Sequence, residues 1–392
     1  LKVITAFQSP EHAVNVDAKW RALGMDAVDA FAFAEIPSGA DFRTEIAFLL
    51  REKRGFFGLF SEGEPDRRFA SRVPAGALLY GSEHADLGVW FPRYWALLAE
   101  LGEPGQFPAD GPAGLDAWFG VDLRRELLPA VGPEWAGYVG APPAGGLIPD
   151  VALFVSIRDR AVLEKFLSAL TARLRADGGD LLVAAGETEF RGHRIRFLEL
   201  TERNGDPFPI TPAWTIGEDW AAFGLFPQTL KGALAEKASI ETNADYQALR
   251  RSIPSSTVSS TYVDLRKLVG WSYNTVVPVL QVVQGRINRD AAKLGFRLNF
   301  EDLPPADVFL RHVSGAMFYT APEPDCLRMG FVSPFGSATV TVPVFVLGMM
   351  AVGLARGERM EVDVEPGRDE VISRQQREIE ELRRRLEDAE ER

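Results

Sequence analysis

The stretch Val131–Ser156 reads VGPEWAGYVGAPPAGGLIPDVALFVS, and it returns in altered form at Val313–Ser333 as VSGAMFYTAPEPDCLRMGFVS. Each copy opens with a Val-led strand carrying two aromatics, Trp135 and Tyr138 in the first, Phe318 and Tyr319 in the second. Each then crosses a Pro-rich turn and resumes after Pro-Asp, at Pro149-Asp150 and Pro324-Asp325, with a strand ending in Val-Ser. Apolar runs bounded by Pro and Gly predict strand, turn and strand at both places. Two such units predict an internal duplication, with any function lying where the copies differ, as at Glu134.

The segments before each unit match as well. RVPAGALLYGSEHADLGVWF and RSIPSSTVSSTYVDLRKLVGW each give an apolar residue with Pro, a strand, and an Asp-Leu that opens an apolar-periodic helix. A carboxylate there accepts hydrogen bonds from the free N–H groups of the first turn, so Asp86 and Asp264 are read as helix caps. Pro92 and Pro278 fall inside those helices and predict a late start or a kink. RTEIAFLL and GFFGLF around REKR predict a β-hairpin, with HRIRFLEL and PAWTIGEDWAAFGLF as its later counterpart. Asp17 and Asp159 are read as caps of further helices, the second with Val162, Leu163, Phe166, Leu167 and Leu170 on one face.

These elements predict an α+β fold, an internally duplicated antiparallel or mixed sheet with helices packed on one face, followed by an apolar C-terminal span and a short helical tail. The boundaries are an N-terminal segment 1–43, a first repeat 44–185, a second repeat 186–335, an apolar segment 336–356 and a charged helical or coiled-coil tail 357–392. Within the apolar segment, residues 338–355 carry no charge and are long enough for a hydrocarbon core of roughly 30 Å, which predicts a membrane span. A core strand is the competing reading, since β-branched residues fill its first half and Pro343 and Gly348 interrupt a helix. Arg356, Arg359 and Arg368 follow that run, which places the tail in the cytoplasm and the main domain outside, periplasmic or on the cell surface. In the tail, Ile372, Ile379, Leu382 and Leu386 recur at positions that suit pairing into a homo-oligomer.

A net charge of -12 argues against nucleic acid as a partner, because phosphate tracking needs clustered Lys and Arg. The single cysteine, Cys326, excludes an intramolecular disulfide. The chain opens at Leu1 with neither a basic n-region nor a small-residue cleavage site, which fits a leader that has been removed or was never captured. His12, His84, His193 and His312 stand apart in sequence, and no metal-ligand spacing, P-loop, nucleophile elbow or dinucleotide fingerprint is present. No cofactor or metal site is therefore expected. The one polar constellation is Ser82-Glu83-His84 with Asp86, in which His84 beside Glu83 forms a candidate general base. Trp90, Trp95, Trp118, Trp135 and Trp220 fall mostly on strands or apolar helix faces and are read as core aromatics, with a sugar- or ligand-stacking surface as the competing reading.

Taken together, RGFFGLF, VPAGALLYGS, DLRRELLPAVGPEWAGYV, PDVALFVSI, FRGHRIRFLEL, NADYQAL and IPSSTVSSTYVDLRKL resemble uncharacterised exported bacterial proteins of the domain of unknown function 3352 type. The likeness runs over most of Phe42–Ser333. It implies an extracytoplasmic, membrane-attached protein, and no catalytic residue is carried over by it. Three functions follow as expectations. The first is a non-catalytic, membrane-tethered binding or scaffold protein with a protein or cell-envelope partner. The second is a carrier of an apolar ligand, such as lipid, between sheet and helices. The third is a hydrolase using His84.

Overall fold

A computed structural model describes residues 17–336, apart from 39–40, 61–67, 103–115, 117–119, 143–147, 178–180, 203, 236–237, 294–298 and 300–302. Its strands are β1 (Val28–Ser38), β2 (Asp41–Leu50), β3 (Leu79–His84), β4 (Val131–Gly140), β5 (Asp150–Ile157), β6 (Leu181–Phe190), β7 (His193–Glu202), β8 (Ala213–Ile216), β9 (Trp220–Gly224), β10 (Ser259–Val263), β11 (Ala316–Glu323) and β12 (Cys326–Ser333). The helices that matter here are α1 (Leu87–Leu101), α2 (Arg160–Asp177), α3 (Pro227–Leu234), α4 (Ala244–Ser252), α5 (Leu265–Lys293) and α6 (Ala306–Leu310).

The strands form one twelve-stranded sheet in the order β1-β2-β12-β11-β10-β3-β4-β5-β9-β8-β7-β6. Every neighbouring pair is antiparallel. This corrects the expected duplicated sheet. The two stretches that match in sequence are the hairpins β4–β5 and β11–β12, but they belong to one continuous sheet joined at its middle by β3 and β10, from Leu79↔Val263 to Glu83↔Ser259. Two separate sheets would leave the N–H and C=O groups of β3 and β10 as open edges; pairing them removes both edges at once. The flanks are exchanged too, since the N-terminal β2 bonds to β12 and the later β9 bonds to β5.

Helices on one face is the second correction. Successive strand residues point to opposite faces, and Phe154 and Val155 of β5 fall in different clusters. On the face of Phe154, Tyr80, Tyr138, Tyr262 and Met317 pack with Leu230 of α3 and Tyr246 and Leu249 of α4. Tyr246 stands edge-on to both Tyr80 and Tyr262, ring centroids 5.6 Å apart in each case, and so covers the join between the two central strands. Such aromatic pairs add about 0.5–1.5 kcal/mol each beyond the area they bury. On the face of Val155, Leu163 and Leu167 of α2 cover Leu198 and Trp214 at one end. At the other end, Phe57 packs with Leu50 and Leu327.

The residues GFFGL form a 3₁₀ turn instead of a strand, and β2 pairs with β1. Gly55 at φ 56 starts that turn, and Phe57 is buried by it against Phe48 of β2, with centroids 5.3 Å apart. The helix expected from Asp17 ends at residue 22, since Gly24 takes φ 79 and β1 begins at Val28. α1 starts directly after Asp86 and runs through Pro92, with neither delay nor break. Among the described residues no helix is long and apolar enough to cross a membrane. The proposed span 338–355 and the tail 357–392 lie outside the described residues.

Candidate functional site

The middle of the sheet is where its groove-facing side lacks side chains. Gly81 of β3 is paired with Gly137 of β4, so the floor there is bare backbone. A Cβ built on Gly81 would meet nothing closer than Thr261 Oγ1 at 3.7 Å, and neither glycine has positive φ. Glycine inside a strand is otherwise a cost, and it often marks a place where another group comes close to the backbone. Between α1 and strands β3, β4, β5 and β10 lies a groove of about 500 Å³. Asp86 caps α1 by accepting from the Gly88 N–H at 3.0 Å and is held by Arg158 at 2.8 Å. That start brings Leu87 and Trp90 to the groove wall. Trp135 is fixed on the opposite wall by its indole N–H, which donates to the Ala85 carbonyl at 3.2 Å.

Glu83 lines the same groove, between Trp135 on β4 and Ser259 on β10. Among the described residues that line the groove it is the only one with a formal charge, and none of them is Lys, Arg or His. Glu83 is exposed where it borders the groove, and partial burial by the surrounding protein raises its carboxyl above the usual carboxylate range. Among the described residues it has no hydrogen-bond or ion-pair partner. A carboxyl with no partner at the border of an apolar groove is open to a charge-assisted contact with a cation.

His84, the next residue, points to the other face. Its Nδ1 lies 2.5 Å from Oε1 of the buried Glu134. Glu134 is held in turn, its N–H donating to Ser156 Oγ at 2.9 Å and its carbonyl accepting from the same hydroxyl at 3.2 Å. Strand alternation thus separates Glu83 from His84, and the constellation read from sequence divides into a groove carboxyl and a part-buried His–Glu pair. An activated nucleophile needs a hydroxyl or thiol within hydrogen-bond reach of the base. Among the described residues none is bonded to His84.

No family model matches the chain, and no curated protein and no solved structure matches it. The site is therefore read from its own geometry. Among the described residues no group of three or more His, Cys, Asp or Glu is placed to hold a metal ion. A second cavity of about 480 Å³ lies beside α1 and is lined by Arg21, Arg54, Arg93 and Glu100. All three of these arginines are engaged within the fold, Arg21 with the Asp17 carbonyl, Arg54 with Asp26 and Glu52, and Arg93 with the Gly58 carbonyl.

Trp220 is buried in the core, as the sequence reading expects, and Trp118 lies outside the described residues. Trp135 is half-buried, packs against the core cluster on the face of Val155 and also borders the groove, whereas Trp90 is half-buried and lines the groove wall. The residues that sequence reasoning missed are Gly81 and Gly137. Their signal is a glycine in the middle of two otherwise regular strands that precede and follow α1.

Proposed function

We propose that the protein binds an apolar or amphiphilic small molecule in the groove above the Gly81–Gly137 pair. The observation that carries this reading is the open volume over paired glycines in the middle of a sheet whose opposite face is filled by packed aromatics. A scaffold with no ligand has no use for that gap, because side chains there would add about 1.5–3 kcal/mol of burial each. The size of the groove falls within the roughly 300–1,000 Å³ range of small-molecule sites. Leu153, 41% exposed on the groove wall, is the kind of apolar surface a ligand would cover.

The test uses the neutral probe N-phenyl-1-naphthylamine, whose fluorescence rises in apolar surroundings. The wild-type chain binds it, and Gly81→Leu, which fills the floor without a backbone clash, loses binding while keeping its circular dichroism and Tm. Binding that is absent in the wild type, or equal in a folded Gly81→Leu variant, overturns the reading.

A further inference from the structure

We infer that the ligand of this groove carries an organic ammonium group, seated at Glu83 against the indoles of Trp90 and Trp135, with its apolar body along Leu79, Val151 and Leu153. This rests on the reading of the groove as an amphiphile site and names the class of amphiphile.

Charge decides against the commonest alternative. Fatty acids, phospholipid phosphates and other anionic heads need Arg, Lys or His nearby, and among the described residues that line the groove there is none. Its one ionisable group free of a partner is a carboxyl, which would repel them. The hydroxyls of Ser259 and Thr261 supply neutral contacts but leave the carboxylate uncompensated. Two indoles on the walls supply the complement that a carboxylate lacks, since the face of a tryptophan ring attracts a cation. Trp135 is suited to this because its N–H is already engaged by Ala85, which fixes the ring where it lies directly across the β3–β4 pair from Glu83. A cation there satisfies the carboxylate and both rings together, whereas a neutral head satisfies none of them fully.

The lining differs on the two sides of the β3–β10 join. β3 and β10 cross at Ser82 and Ser260, and stepping one residue onward on each strand gives Glu83 on β3 and Thr261 on β10. The acid is thus a feature of one half only, and so is the indole beside it. Trp135 is the β4 partner of Glu83, and the β11 partner of Thr261 is Phe318.

The experiment displaces N-phenyl-1-naphthylamine with four twelve-carbon probes below their micellar concentrations: dodecylamine, dodecyltrimethylammonium, 1-dodecanol and dodecanoate. Both ammonium probes are expected to compete about tenfold better than dodecanol, with dodecanoate weakest. In Glu83→Gln the ratio of dodecylamine to dodecanol affinity falls to near one, and in Glu83→Asp part of the preference returns. Dodecanol or dodecanoate competing as well as the amines, or an amine preference that survives in Glu83→Gln, overturns the ammonium inference and leaves the groove reading standing. Failure of the wild type to bind the fluorescent probe or any of the four overturns both.

Discussion

Ser82 Oγ and Ser260 Oγ lie 3.1 Å apart across the two strands that join the sheet at its middle. Each hydroxyl is the other's partner at the point where β3 and β10 cross, and Ser260 is buried. Ser82→Ala therefore leaves the Ser260 hydroxyl unpaired inside the sheet, at a cost of about 1–3 kcal/mol. The double variant Ser82→Ala/Ser260→Ala is expected to recover part of that loss, because no orphan remains. Urea unfolding of the two single variants and the double variant reads the coupling directly, and strictly additive losses would mean that the pair does not interact.

Gly132 lies against Ser156, the side chain that holds Glu134. A Cβ at Gly132 would fall 2.3 Å from Ser156 Oγ and 2.9 Å from Ser156 Cβ. Gly132→Ala is expected to cost about 1–3 kcal/mol by forcing Ser156 off the Glu134 backbone. If the clash is the cause, Gly132→Ala/Ser156→Gly regains much of the stability lost in the single variant, measured by thermal unfolding.

Acid should weaken the fold through Glu45. Burial alone would raise its carboxyl, but hydrogen bonds from Tyr319 and Arg43, with the charges of Arg43 and Arg328, outweigh burial and hold it below the usual range. A carboxyl depressed in the folded state contributes stability that is present above its unfolded value, about 4.3, and is lost as pH falls through the folded one. Tyr319→Phe removes one of those bonds, worth about 1.5–3 kcal/mol to a charged group. Its Tm is expected to be lower at pH 7 and to fall less steeply than the wild type's between pH 5 and pH 2, ranges set by that unfolded value.

Glu83 has the opposite sign. Its carboxyl is raised by burial, and the groups facing it, Trp135, Ser259, Thr261, Leu87 and Trp90, carry no charge. The folded chain without ligand holds the proton more tightly than the unfolded chain, so stability is lost as pH climbs from the unfolded value toward the folded one. Glu83→Gln removes that loss. Its urea midpoint is expected to exceed the wild type's at pH 7 and to converge with it near pH 4, around the unfolded carboxyl value. A lower midpoint for Glu83→Gln at neutral pH would mean that the carboxylate is stabilised in the folded chain.

The β6–β7 hairpin closes through two residues, Arg191 at φ 52 and Gly192 at φ 76, with Phe190 paired to His193. Two positive φ values in a two-residue loop are the type I′ pattern, which Asn tolerates better than Arg at the first position. Arg191→Asn is expected to raise stability by up to about 1 kcal/mol, whereas Gly192→Val lowers it by more, both read from denaturant midpoints.

What the sequence makes legible is what neighbouring residues decide. The caps at Asp86, Asp159 and Asp264 each accept from a backbone N–H within three residues of the cap, and their residue types mark them. The paired strands inside Val131–Ser156 and Val313–Ser333 are legible for the same reason. Pairings between distant segments are not. Nothing near Phe42 announces Ser333 as its partner, and nothing in β5 announces β9. β6 is hidden because Gly186 breaks its apolar pattern, and the ring of Phe197 on β7 occupies the space a Gly186 side chain would need. At the site, Glu83 and His84 are adjacent in sequence and therefore read as one cluster, while a strand's period of two places them on opposite faces. Trp90 and Trp135 look like core until Gly81 and Gly137 are seen to face each other and leave the rings a space to border.

The bond between β2 and β12 also orders events during synthesis. One edge of β2 is met by β1 as soon as both emerge, but the other has no partner until Cys326–Ser333 has left the ribosome. The sheet therefore cannot close as its first half is made. The β1–β2 hairpin must wait with one unpaired edge until β12 has been made, the condition under which a nascent strand most needs a chaperone or a second chain kept away. A chain released before Cys326 would present the outer edges of β2 and β11 together, which makes premature termination in this protein an aggregation hazard as well as a loss of one strand.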